Sequence, residues 1–101
     1  MFEPFQKFVR KAAGHYGVSV EVEAAEVCSA FRGLLYLWFD EAEEVKEFVD
    51  AAFFKAGVLV IKVESPAFAQ EIIVRRERII TDVNQKLGRN LVKELRIKLG
   101  N

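Results

Sequence analysis

Five carboxylates crowd into eight residues at Asp40, Glu41, Glu43, Glu44 and Glu47. Side chains of this type at this spacing would do general acid–base chemistry or hold a hard cation. No neighbour has the character of a nucleophile, and like charges converge only around a metal, so the run reads as a solvated helix end or loop. Cys28 is the single cysteine and His15 the single histidine, which excludes an intramolecular disulfide and leaves a zinc site short of ligands. Cys28 falls at the edge of an apolar helical arc and reads as a small buried hydrophobe. No catalytic constellation remains. The chain reads as non-enzymatic, with no cofactor and no metal.

The basic residues are better candidates. Arg75, Arg76 and Arg78 lie in an apolar helix expected from Pro66 to Leu87. On a projection of about 100° per residue, Arg76 falls amid the arc of Phe68, Ala69, Ile72, Ile73, Ile79, Ile80, Val83 and Leu87. A charge there must pair, reach out to solvent, or offer its guanidinium to a phosphate. Lys62, Arg96 and Lys98 are expected on the sheet face away from the helices, diluted by Glu64 and Glu94, with Arg89 at a turn. Together these residues make a modest basic patch that would bind single- or double-stranded DNA weakly and with strong salt dependence. Gly14-His15-Tyr16-Gly17 matches the G-x-x-G pattern by which KH domains clamp nucleic-acid backbones, a second route to single-stranded RNA or DNA. Tyr36, Leu37 and Phe39 lie off the apolar arc of their helix and are candidates for a partner or dimer surface, while Phe54 and Val60 are read as pointing off the core face.

The elements that position these groups follow from periodicity. Phe2, Phe5, Phe8, Val9 and Ala12 share one helical face, and Gly14 with Gly17 closes that helix. A second helix is expected from about Ser19 to Phe39, with Val20, Ala24, Val27, Phe31, Leu34 and Trp38 on its apolar side. FVDAAFF and VLVIKVE flank Lys55-Ala56-Gly57 as a hairpin. Ser65 and Pro66 are an N-cap and a first helical residue, so the strand passes into the long helix within about two residues. Gly88 ends that helix. In the last strand Leu91, Leu95, Ile97 and Leu99 share a face, and Val92, Glu94, Arg96 and Lys98 share the other. The order is α-α-β-β-α-β: an α+β fold, a three-stranded mixed sheet with helices packed on one face.

Length, 101 residues, is that of a single domain, 1–101, with a helical part over 1–40 and hairpin, long helix and last strand over 48–99. The formal net charge is zero, yet residues 1–54 hold five basic against ten acidic groups and residues 55–101 hold ten basic against five. Such a split suggests a polyanion-facing side or polar self-association into a homodimer. No apolar run approaches the length of a membrane span and no signal peptide is evident, so the expected location is the cytoplasm.

GVLVIKVESPAFAQEI, followed by IITDVNQKLG and a short strand, resembles the DciA family, small bacterial proteins associated with loading the replicative helicase. The resemblance is carried by Gly57, Leu59, Ile61 and Val63, by Ser65-Pro66-Ala67-Phe68-Ala69-Gln70-Glu71, and by the stretch before Leu87-Gly88. Trp38 is similar in placement to a family tryptophan. The acidic DEAEE replaces a valine-glycine step, and Phe68 stands where relatives usually have tryptophan. The resemblance implies a KH-like fold, a role in DNA replication at the nucleoid, and the replicative helicase as partner. The alternative reading is a protein-interaction or dimerisation module that binds no nucleic acid.

Overall fold

The computed structural model describes residues 17–100. The expected first helix and the Gly14–Gly17 loop lie outside the described residues or at their margin. Helix α1 spans Gly17–Gly33, and its continuation is a separate short helix, α2, at Leu35–Trp38. The break at Gly33-Leu34 corrects the single helix expected from the period. Val27, Phe31, Leu34 and Trp38 are buried as their spacing demands, but Val20, in the first turn of α1, is 60% exposed. The acidic run forms a one-turn helix, α3 (Ala42–Val45), anchored by the buried Val45.

Strands β1 (Val49–Lys55) and β2 (Val58–Val63) form an antiparallel hairpin, and β3 (Glu94–Leu99) joins β2 in parallel, giving the order β1-β2-β3. The hairpin turn is Ala56-Gly57, with φ of 52° and 82°, the signs of a type I′ turn whose twist matches the strands it joins. Leu59, Ile61 and Val63 are fully buried, with α4 against their strand and α1 against the neighbouring β1. The register of β1 shifts between Ala51 and Phe53, leaving Ala52 as the extra residue of a bulge. Strict alternation would bury Lys55 along with Val49, Ala51 and Phe53. The bulge instead buries Phe54 and turns Phe53, 52% exposed, to the other face. That corrects the placement of Phe54 off the core.

Ser65 caps the next helix as expected, its Oγ accepting from Phe68 N, with Pro66 at the first position. The long helix is two: α4 (Pro66–Val74) and α5 (Arg76–Leu87), parted at Arg75, whose φ of −99° and ψ of 13° leave the helical region. Ala69, Ile72, Ile79 and Val83 face the core. Ile73, on the expected arc, is 44% exposed, and Arg76 is exposed rather than trapped in an apolar stripe. Gly88 caps α5 at φ 75°, and Arg89 N closes back onto Asn84 O at 3.2 Å.

Residues 91–93 are not strand, and Val92 is buried, against the face expected for it. Asn84 explains this. Its Nδ2 donates to Val92 O at 3.0 Å and its Oδ1 accepts from Val92 N at 2.9 Å, so both backbone groups are satisfied while the side chain enters the core. Asn84→Ala should therefore cost about 2–4 kcal/mol, the sum of two orphaned partly buried groups, read as a lowered urea midpoint. Asn84→Asp keeps the bond from Val92 N but sets a carboxylate oxygen against Val92 O, so it too should lower the midpoint.

Candidate nucleic-acid interface

The described helices all pack on one face of the sheet, and the other carries no described element. Register fixes what that open face presents. One row across the strands is Phe53, Val60 and Arg96; the next is Asp50, Lys62 and Lys98; the turn end carries Lys55, Val58 and Glu94. Neighbours in a row stand about 5 Å apart, so an exposed ring, an aliphatic surface and a guanidinium form one continuous strip. Lys62 lies 3.8 Å from Glu64, and Arg96 Nε donates to Glu94 Oε2 at 2.8 Å. Asp50 is held by Arg32 at 2.7 Å, so its charge is already answered. Lys98 has no ion-pair partner among the described residues. Exposed pairs of this kind contribute little and exchange readily for a phosphate.

The remaining basic candidates do not join this strip. Arg75 pairs with Glu71 and stacks over the Phe39 ring, 5.4 Å from its centroid. Arg78 lies 3.4 Å from Asp82, which also accepts from Trp38 Nε1 at 2.9 Å. Arg89 reaches Glu23 and Glu26 of α1, each at 3.5 Å. The first two ion pairs follow the i,i+4 spacing along their own helices, and only Arg89 ties the end of α5 to α1. Arg76 has no ion-pair partner among the described residues and stands beside β3, next to Ile73 and Leu95. The structure thus brings together Lys62, Arg96 and Lys98, sets Arg76 in the groove that Arg96 also lines, and separates Arg75, Arg78 and Arg89 from them.

Of the apolar partner candidates, Tyr36 and Leu37 are 67% and 41% exposed. Phe39 is buried, a correction: the chain turns extended at that residue, and its ring packs edge-on to Phe68 at 6.1 Å. Phe68 also meets Phe48 at 5.7 Å. Phe53 is the functional candidate that sequence reasoning missed. The signal for it was Lys55, which a regular strand would have driven into the core.

The acid run lies exposed around Val45, and among the described residues no three His, Cys, Asp or Glu side chains are grouped to hold a metal ion. No helix of the described residues is long and apolar enough to cross a membrane. Cys28 is buried in the core, and burial pushes its thiol above the usual range, only partly offset by the Arg32 guanidinium. Maleimide should therefore label Cys28 slowly in the native protein and rapidly in denaturant. Because the folded pKa lies above the unfolded one, the thiol's contribution to stability is intact below about pH 8.5 and is lost as pH rises through the folded value. Cys28→Ala should remove that part of the alkaline decline, measured by denaturation at a series of pH values.

Comparison with known proteins adds one match. No curated protein matches the chain. The family model described as "Dna[CI] antecedent, DciA" matches residues 42–97, from α3 through the hairpin, α4 and α5 into β3, more than half of the chain and all but the last residues of the sheet. The match includes the strand that carries Phe53, and it takes in Lys62 and Arg96. On the extent of that match, the chain belongs to the DciA family.

Proposed function

We propose that this chain is a non-enzymatic accessory of bacterial DNA replication that holds single-stranded nucleic acid weakly on its open sheet face while docking on the replicative helicase. The family carries a helicase-loader-related role in replication. The observation that supports the nucleic-acid half is the row of Phe53, Val60 and Arg96 beside Lys62 and Lys98. An exposed ring on a sheet is a stacking platform for an unpaired base, and flanking cations take the phosphates on either side. The interface is small and the net charge zero, so affinity is low and salt-sensitive. This is the property of a protein that must release the strand. The cytoplasm, at the nucleoid, is the compartment such work requires.

Fluorescence anisotropy with labelled single-stranded DNA over a salt series tests this half. Phe53→Ala should weaken binding by about 1–3 kcal/mol. Reversal of Lys62, Arg96 and Lys98 to glutamate should abolish binding at moderate salt, with the slope of log K against log salt reduced by about 0.7 for each phosphate no longer neutralised. Lys86→Glu, on α5, is the control and should change little. Equal weakening in the control, or unchanged binding in the triple variant, would count against the reading.

Docking is assigned to Tyr36 and Leu37, exposed apolar neighbours away from the open sheet face. A Tyr36→Ala/Leu37→Asp variant should lose capture of the purified replicative helicase while keeping its DNA affinity. Retained capture would remove these residues from the docking surface.

A further inference from the structure

The two edges of the sheet are treated differently. At the β1 edge, Glu64 N donates to Phe48 O at 2.8 Å, so alternate residues, Val49 and Ala51, direct their backbone groups outward. Those of Ala51 are taken by side chains: its N–H donates to Asp50 Oδ1 at 2.9 Å, and its carbonyl accepts from Arg32 Nη2 at 3.2 Å. The bulge at Ala52 adds a further obstacle to pairing. At Ala51 and the bulge this edge is obstructed in the manner natural sheets use against strand addition.

The β3 edge has none of these devices. Glu94 N donates to Gly57 O at 3.1 Å and Gly100 N to Val63 O at 3.2 Å, which fixes the parity of the parallel ladder. Residues 94, 96 and 98 bond to β2, while Leu95, Ile97 and Leu99 turn their N–H and C=O groups outward, and no partner for them occurs among the described residues. Beside this edge runs a groove of about 330 Å³ lined by Ile73, Arg76 and residues 94–97. Ile73 in its lining is 44% exposed, and Leu99, further along β3, is 58% exposed.

We propose that the β3 edge receives an extended segment of a partner protein as a fourth strand, and that this segment alternates apolar and acidic residues. The apolar side chains would enter the groove against Ile73 and Ile97. The acidic ones would lie on the open face beside Arg96 and Lys98, with Arg76 at the groove. The local balance is basic: Arg76, Lys93, Arg96 and Lys98 face Glu77 and Glu94, and Glu94 is already tied to Arg96. The same charges argue against a second copy of the chain. The antiparallel β3–β3 register centred on Ile97 sets Arg96 opposite Lys98 twice; the one centred on Arg96 sets two guanidinium groups together and answers only Lys98, through Glu94, so an acidic strand answers more of this charge than a second copy does. The proposal shares Arg96 and Lys98 with the nucleic-acid reading but rests on the free backbone of the β3 edge, which that reading does not use.

The test is hydrogen exchange of the full chain, followed by NMR, with and without a soluble peptide of about eight residues alternating valine and glutamate. The amides of Leu95, Ile97 and Leu99 should gain protection, and the matching valine–lysine peptide should bind about tenfold or more weakly. Leu99→Pro removes an outward N–H and spares the ladder to β2, since proline is tolerated where its missing donor faces away from the sheet. It should weaken peptide binding about tenfold with single-stranded DNA affinity unchanged. Absence of valine–glutamate binding would overturn the proposal, as would protection at Val49 and Ala51 instead. Protection without peptide that grows with protein concentration would make a second copy the occupant and overturn it too. If Leu99→Pro does not fold, the wild-type exchange pattern with the two peptides still decides.

Discussion

Strand β1 carries one residue more than its partner, Ala52, and without it the strand would alternate so that Lys55 pointed into the core. Burying an unpaired ammonium costs more than any packing gain nearby. With the extra residue, Val49, Ala51 and Phe54 all face the helices, and Asp50, Phe53 and Lys55 face out. The same shift therefore completes the core and builds the open face. It also bends β1 at the point where Arg32 of α1 reaches over to Asp50 and the Ala51 carbonyl, so helix, edge and bulge are fixed together.

The opposite side of the sheet is positioned by two sharp junctions. Ser65 and Pro66 start α4 directly after β2, and Gly88 with Asn84 ends α5 and hands the chain to β3. Between them the helix breaks at Arg75, whose guanidinium folds back to Glu71 and over Phe39. The break lets Arg76 stand in solvent at the position where a continuous helix would have required an apolar side chain. Thus the crossover that places β3 parallel to β2 also lines the free edge of β3 with Ile73 and Arg76.

Much of this is legible in the sequence, because it rests on local chemistry. The β-branched run of β2, the Ser-Pro cap, the glycine at Gly88 and the spacing of Val27, Phe31, Leu34 and Trp38 each have a local cause and appear as expected. The family resemblance lies in the same segment, and the family match covers it. What is not legible depends on contacts between distant residues. Period alone places Phe39 and Phe54 outward, and only Phe68 and the bulge reveal them as core. The inward turn of Val92 depends on Asn84, and the exposure of Ile73 and Arg76 on a one-residue break. The basic residues divide in the same way: Lys62, Arg96 and Lys98 meet because strand register is readable, and the pairs of Arg75 with Glu71 and Arg78 with Asp82 follow the i,i+4 spacing, whereas Arg89 is drawn to Glu23 and Glu26, which no period could have located.

If the face opposite the helices is a surface for single-stranded nucleic acid, its own amides must report the ligand. A heteronuclear NMR titration of the isotope-labelled chain with a short thymidine oligonucleotide at low salt reads them one by one. The shifting amides should cluster at Phe53, Val60, Lys62 and Arg96, with ring-current changes at Phe53 and a return to the free spectrum as salt is raised. Shifts confined to α1, or to the outer surface of α4 and α5, would contradict that role for the sheet, as would an unchanged spectrum at the lowest salt.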